Sequence, residues 1–338
     1  MNFPCELGPA TMQWRAGTPM RFQALRLLFP RPILRIAQAM ILKQLGQTGV
    51  SVPEIGLGTF NYKGDIAPLR QGLEAGALFL DTAEEYGTEP LAAEAMSGIR
   101  DRVFLAAKVS HKHLRRGDLV AAADRSLLAL RTDRIDLYQV HAPDATTPIG
   151  ETMGAMEELV DAGKVRFIGV SNFYLPDLKE AQKAMRKHRI AANQMPYNLI
   201  ERSVDPELLS YCHQSGISVI AFSPLARGLP CLAQKDPKGV LPRVARETGK
   251  TIAQVALNWC LRHDHVFVIP KGNTIAHILE LCGASGWRLS PEQVRLLSEN
   301  VRFHRRGRLE TWVRGILSRS AQEKVSQILQ LLRPALKN

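Results

Sequence analysis

The sequence predicts an α/β fold, a closed (β/α)8 TIM barrel preceded by an N-terminal β-hairpin, and three observations carry that prediction. From residue 51 onward, eight short apolar, β-branched runs alternate with longer stretches of helical period, the pattern of parallel strands joined by helical crossovers. Together these units occupy a length close to the roughly 250 residues of a closed parallel barrel. Runs such as Val219-Ile220-Ala221-Phe222 are apolar at every position, as strands buried on both faces are.

The hairpin comes first, over residues 41–54, where Gly46-Gln47-Thr48-Gly49 separates two apolar runs ahead of the barrel floor. Strands are expected at 55–60, 77–80, 103–109, 135–140, 165–170, 190–194, 217–222 and 266–269. Helices are expected at 65–76, 89–100, 118–131, 149–163, 175–187, 205–215, 251–262 and 274–283. Their ends carry local signals. Pro206 follows Asp205 as a first-turn proline behind an N-cap, and Gly76, Gly163 and Gly216 stand where C-terminal glycines belong. An open doubly wound sheet is the rival fold, but Gly56-Leu57-Gly58-Thr59-Phe60-Asn61 lacks the third glycine of a dinucleotide fingerprint.

Composition bounds the rest. The chain has 338 residues, 45% of them hydrophobic and 22% charged, and a net charge of +12. Residues 1–50 contribute +5 and residues 301–338 contribute +7, so the barrel region is neutral and a basic nucleic-acid groove in it is disfavoured. The domain reading is therefore a leader or extension over 1–40, either disordered or helical, a barrel over 41–300, and a basic extension over 301–338. In the leader, Ile33, Leu34, Ile36, Ala37, Met40 and Ile41 recur at helical spacing, which suits packing on the barrel or plain leader sequence better than a membrane surface. Cys5, Cys212, Cys231, Cys260 and Cys282 form no CxxC pair, which fits a reducing compartment, and a cytoplasmic location is expected. The longest uncharged run, 208–226, is interrupted by His213, Gln214, Ser215 and Gly216, so no integral membrane span is expected. A monomer or weak homo-oligomer is the expected state.

In such a barrel the chemistry sits at the carboxyl ends of the strands. Those ends hold Asp81 with Tyr86 on the loop behind it, Lys108, His141, Ser171-Asn172, Gln194, Phe222-Ser223 and Pro270-Lys271. Each has a plain structural explanation alone, as a cap, a rim charge or a packed ring. Together, an acid, a phenol, a lysine and an imidazole at one end of three successive strands make a proton-delivery site. A phenol of pKa near ~10 gives up its proton more readily beside an ammonium, Lys108, and a lysine drawn into a barrel mouth stays charged beside a carboxylate, Asp81. His141 then aims a carbonyl oxygen. No cysteine or serine is paired with a base, so the nucleophile must come from a cofactor, and Ser171, Asn172, Gln194 and the ring of Phe222 suit a nicotinamide. His111 with His113, and His263 with His265, lack a third ligand and read as loop residues, with no metal expected.

The quoted stretches, with Leu45-Gly46-Gln47-Thr48-Gly49, Leu80-Asp81-Thr82-Ala83 with Tyr86-Gly87, Tyr138-Gln139-Val140-His141, Val170-Ser171-Asn172-Phe173, Asn193-Gln194 and Ile269-Pro270-Lys271, resemble the aldo-keto reductases over roughly residues 41–300. The resemblance implies a tetrad of Asp81, Tyr86, Lys108 and His141, with Tyr86 as proton donor to an aldehyde or ketone. It implies nicotinamide contacts at Ser171, Asn172, Gln194 and Phe222. It also implies phosphate and adenosine contacts from Ser223, Leu225, Arg227 and Gly228 and from Lys271, Gly272, Asn273 and His277. The arginine that the family uses for the 2′-phosphate aligns with His277, its adenine-contacting asparagine with Leu281, and the aromatic that often follows the active-site histidine with Ala142. Lys271 and Arg227 favour NADPH, with NADH as the alternative. The expected activity is thus NAD(P)H-dependent reduction of a small carbonyl compound. The rivals are a nucleotide-binding regulatory or interaction subunit with little turnover, and an aldolase using Lys108 as a Schiff-base amine. The aldolase fits less well, because that lysine must be neutral to attack.

Overall fold

A computed structural model of the protein describes residues 40–303, apart from Ala145, Ser203, Asp205 and Arg227. The leader, with its helical spacing up to Ala37, and the extension from His304 onward lie outside the described residues. An antiparallel hairpin, β1 (Leu42–Gln44) and β2 (Ser51–Pro53), opens the fold. Eight parallel strands follow: β3 (Leu57–Gly58), β4 (Phe79–Asp81), β5 (Phe104–Val109), β6 (Ile135–Val140), β7 (Val165–Ser171), β8 (Ile190–Pro196), β9 (Ser218–Phe222) and β10 (Val266–Val268). Each pairs with the next in sequence. A parallel bridge between Ile55 and Val268, with Gly56 N–H donating to Val268 O at 2.8 Å and Val268 N–H to Glu54 O at 2.9 Å, joins the last strand to the first. The ring is closed, as the eightfold alternation requires.

Helices α1 (Ile66–Glu74), α2 (Glu89–Ala95), α3 (Arg116–Leu130), α4 (Ile149–Asp161), α5 (Leu175–Ala184) and α6 (Glu207–Gln214) connect β3 to β9. Then α7 (Leu229–Gln234), α8 (Val240–Thr248) and α9 (Ile252–Cys260) lead to β10, which is followed by α10 (Ile275–Cys282) and α11 (Pro291–Asn300). Strand alternation sorts the apolar residues into two cores. Phe79, Phe104, Ala106, Leu137, Ala192, Ile220 and Phe267 fill the barrel interior together with Leu45 and Val52 of the hairpin region. Their neighbours Leu80, Leu105, Ala107, Tyr138, Val219 and Val268 pack outward against the helices.

Charge holds the hairpin to the floor. The Lys43 ammonium donates to three carbonyls, Leu261 O, His263 O and Val266 O, at 3.0, 2.9 and 3.0 Å. It also lies 3.3 Å from the fully buried Glu54, which accepts from Ser285 Oγ and Arg288 as well.

The elements depart from their expected bounds where a turn or a side chain intervenes. The first barrel strand is shorter than 55–60 because the chain turns at Thr59–Tyr62, with Asn61 left-handed at φ 51°. The second starts at Phe79 and not at Ala77, since Gly76 (φ 96°) and a tight turn occupy the approach, which brings Asp81 into the strand. Gly98 (φ 77°) ends α2 early. α5 stops at Ala184 because the peptide N–H groups of Arg186, Lys187 and His188 donate to the Glu157 carboxylate. Pro206 stands at the N-cap of α6, one position earlier than the first-turn place expected for it. Helices α7, α8 and α11 have no counterpart in the one-helix-per-strand reading. No helix among the described residues is long and apolar enough to cross a membrane.

On the floor, His263 and His265 have ring centroids 5.8 Å apart, and His265 lies 4.9 Å from His213. Burial pushes both His263 and His265 down to about 4, helped by Arg262 and Lys43 for the first and by His213 and Lys43 for the second. Unfolded histidines titrate near ~6.5, so below that pH the unfolded chain binds protons that the folded chain refuses. Stability is expected to be unaffected by this pair above pH ~6.5 and to fall as the pH drops from there toward 4. Urea unfolding of the parent and of His265→Asn over this range checks it: the variant should lose less stability on acidification, and parallel losses would contradict the assignment.

Candidate active site

Asp81 shares the inward parity of Phe79, Lys108 that of Phe104 and Ala106, Gln139 that of Leu137, and Gln194 that of Ala192, so four polar side chains sit in one layer above the apolar filling. All four are buried. The Lys108 ammonium donates to Asp81 Oδ1 at 2.6 Å and to Thr82 O at 2.9 Å. The second carboxylate oxygen, Oδ2, accepts from Gln194 Nε2 at 2.8 Å and Gln139 Nε2 at 3.3 Å. Gly169 makes this layer possible, because a Cβ there would lie 2.8 Å from Gln139 Cγ.

Tyr86 comes from the turn behind β4, a single 3-10 turn over Glu84–Tyr86 ended by left-handed Gly87 at φ 66°. The Lys108 ammonium lies 5.0 Å from the centre of its ring and hydrogen-bonds its hydroxyl. Full burial pushes the Lys108 pKa down, but the Asp81 carboxylate and the Tyr86 hydroxyl outweigh it and hold the amine above the usual lysine value. The lysine is therefore an ammonium at neutral pH. Tyr86 Oη lies 3.5 Å from His141 Nε2, with the two rings edge to face at 5.5 Å. His141 is fixed from both sides: its N–H donates to Val109 O, and its carbonyl accepts from Asn172 Nδ2 at 3.0 Å. The four residues expected to form the tetrad converge.

The expected cofactor contacts divide into groups. Ser171 and Gln194 are paired in register on β7 and β8, and Asn172, left-handed at φ 62°, donates its N–H to Gln194 O. Gln194 is also committed to Asp81, a role not expected from sequence. Phe222 packs on the interior core at the end of β9. Beyond it, Ser223 is exposed with φ 48°, Leu225 is partly exposed, and Gly228 (φ 130°) precedes α7; Arg227 lies outside the described residues. After β10, exposed Lys271 donates to Asn61 O at 2.9 Å, and Asn273 Oδ1 accepts from Lys63 N–H at 3.3 Å. Gly272 is buried, and a Cβ there would meet Ile278 N at 3.0 Å. His277 is exposed on the first turn of α10, and its N–H bonds the capping Thr274 hydroxyl.

The sequence reading did not find Gln139, Thr82, Glu84 or Glu85. Gln139 was visible as an inward position one layer below His141, whereas the partners of the two glutamates come from a different loop. His111 and His113 pair with Glu85 and Glu84 at 3.2 and 2.9 Å, and no group of three metal-ligating side chains occurs among the described residues.

The chain is similar to known proteins in both sequence and fold. The sequence model of the aldo/keto reductase family matches residues 49–301. A methylglyoxal reductase of Escherichia coli is 34% identical over 260 residues, covering 74% of this chain and 91% of its own length. Among solved structures, a thermostable aldo-keto reductase in complex with the inhibitor epalrestat is 37% identical with a TM-score of 0.72, over 77% of this chain and 99% of that one. An aldo-keto reductase from Klebsiella pneumoniae in complex with NADPH is 33% identical with a TM-score of 0.71, over 79% and 98%. With the closed barrel and the Asp81, Lys108, Tyr86 and His141 cluster at its mouth, these matches establish that the chain belongs to the aldo/keto reductase family.

Proposed function

We propose that the protein is an NADPH-dependent carbonyl reductase that converts small aldehydes or ketones to alcohols, with Tyr86 as the proton donor. The observation that carries this reading is the buried Lys108 ammonium, held at 2.6 Å by Asp81 and hydrogen-bonded to the Tyr86 hydroxyl beside His141.

The residues around the tetrad fit a nicotinamide dinucleotide. Ser171, Asn172 and Gln194 supply hydroxyl and amide groups for a carboxamide, and Phe222 supplies a ring face. In the loop after β9, Ser223, Ala226 and Gly228 hold positive φ, a backbone that turns peptide N–H groups toward an anion. Lys271 offers an exposed cation to a phosphate on the adjoining segment, and His277 stands near it. The Klebsiella relative, crystallised with NADPH, supports the phosphorylated cofactor. When bound, the reduced cofactor supplies hydride to the carbonyl carbon. The chain's own residues deliver the proton: Tyr86 Oη gives it to the carbonyl oxygen, Lys108 stabilises the tyrosinate left behind, and water restores it. Asp81 keeps the lysine charged, and His141 orients the oxygen beside Tyr86.

Loss of NADPH absorbance with a panel of carbonyls tests the reading. Methylglyoxal leads the panel because the Escherichia coli relative is named for it. No turnover with any member, at protein concentrations where NADPH binds, would overturn it. Tyr86→Phe is expected to bind NADPH as the parent does while kcat falls by about 10²–10⁴-fold, since only the donor is lost. Parent-like turnover would refute the role of Tyr86. Asp81→Asn strands a buried cation, so urea unfolding at neutral pH should show about 3 kcal/mol less stability, together with a lower kcat. Unchanged stability would show that the pair is not the buried ion pair described.

A further inference from the structure

The turn that carries Tyr86 holds two consecutive glutamates, and they are used differently. Glu84 is committed to the scaffold: it accepts from Ser110 N–H at 3.0 Å and pairs with His113 Nδ1 and Arg125 at 2.9 Å each. Glu85 divides its two oxygens. Oε1 accepts from the Ser110 hydroxyl at 2.6 Å and lies 3.2 Å from His111 Nδ1. Oε2 lies 3.4 Å from Nδ1 of His141, whose Nε2, across the ring, faces Tyr86 Oη. One imidazole thus spans from a carboxylate to the phenol, and its side chain is only 12% exposed.

The two ring nitrogens constrain each other. A neutral imidazole with its proton on Nδ1, the form a carboxylate at Nδ1 selects, can only accept at Nε2. To donate from Nε2 while Nδ1 faces a carboxylate, the ring must carry both protons, and the same carboxylate makes that cation cheaper. Several groups among the described residues face or adjoin His141. Lys108 opposes a second cation nearby but is neutralised by Asp81, His111 shares Glu85 from the β5–α3 loop, Tyr86 is uncharged when protonated, and Asn172 on the β7 side is neutral.

We propose that Glu85 is a positioning residue for the carbonyl reduction: its carboxylate, 3.4 Å from His141 Nδ1, stabilises the imidazolium, whose Nε2–H joins the Tyr86 hydroxyl as a second donor to the substrate oxygen. The inference rests on the carbonyl-reductase reading of the site. Negative charge grows on that oxygen as hydride arrives, so a cationic donor strengthens in the transition state. Rate falls as rising pH strips the imidazolium, and Glu85 keeps that fall at higher pH.

The test compares the parent with Glu85→Gln and Ser110→Ala. Histidine ¹⁵N NMR, with His141 assigned by the signal lost in His141→Asn, follows the ring directly, and kcat/KM against pH follows its consequence. In Glu85→Gln, His141 is expected to titrate about one pH unit lower, with the alkaline limb of kcat/KM moving the same way and kcat/KM at pH ~8 down about tenfold. The NADPH Kd should stay within about twofold. Ser110→Ala loosens the turn but leaves Glu85 Oε2 at His141, so the limb should stay where it is in the parent. An unmoved His141 titration in Glu85→Gln, or an equal displacement in Ser110→Ala, would overturn the proposal. Absence of turnover in the parent would instead overturn the underlying reading, while the NMR titration would still report on the pair.

Discussion

A cation buried without water is the constraint on which the rest of the site depends. Lys108 is fully enclosed, and a lone ammonium there would shed its proton to escape the low dielectric. Asp81 prevents this at 2.6 Å, and its second carboxylate oxygen accepts from the amides of Gln194 and Gln139. The charge pair is therefore the centre of a small satisfied network and not an isolated bridge. Its output is directed at one atom, the Tyr86 oxygen.

The barrel supplies the precision. Because alternate residues of each strand point inward, one layer of polar side chains can be set above a filled apolar interior without any loop having to find its place. The apolar filling, from Phe79 to Phe267, excludes water from below, and the hairpin locked by Lys43 and Glu54 seals the floor. The less regular parts ride on this frame. Tyr86 sits on a short turn, and the carboxylates beside it tie that turn to Ser110, His111 and His113, so that a loop residue gains the fixity of a strand residue.

Much of this was legible in the sequence because the barrel repeats a local rule. Short, near-continuous apolar runs located all eight strands, and the residues at the carboxyl ends of those runs picked out Asp81, Lys108, His141, Ser171 and Gln194. Contacts that depend on sequence-distant partners were not legible. Nothing in Glu85 announces His141, 56 positions on, or in Lys43 the carbonyls of Leu261, His263 and Val266. Helices α7, α8 and α11 were missed for another reason, since counting one helix per strand left no place for them. The capping box of Ser290 and Gln293 at the start of α11 was nonetheless readable. Gln194 shows the limit of assigning one role per residue, for its amide holds Asp81 as well as lying at the expected nicotinamide site.

The charge of Lys108 is the quantity to measure. In protein labelled with ¹⁵N-lysine, with the Lys108 signal identified by its loss in Lys108→Met, the Nζ shift reports directly whether the nitrogen carries three protons. From about pH 6 to about pH 9 it should remain that of an ammonium, above the range in which a desolvated lysine turns neutral. A neutral amine anywhere in that range would mean that Asp81 does not hold the charge, and the proton-delivery account of Tyr86 would fall with it.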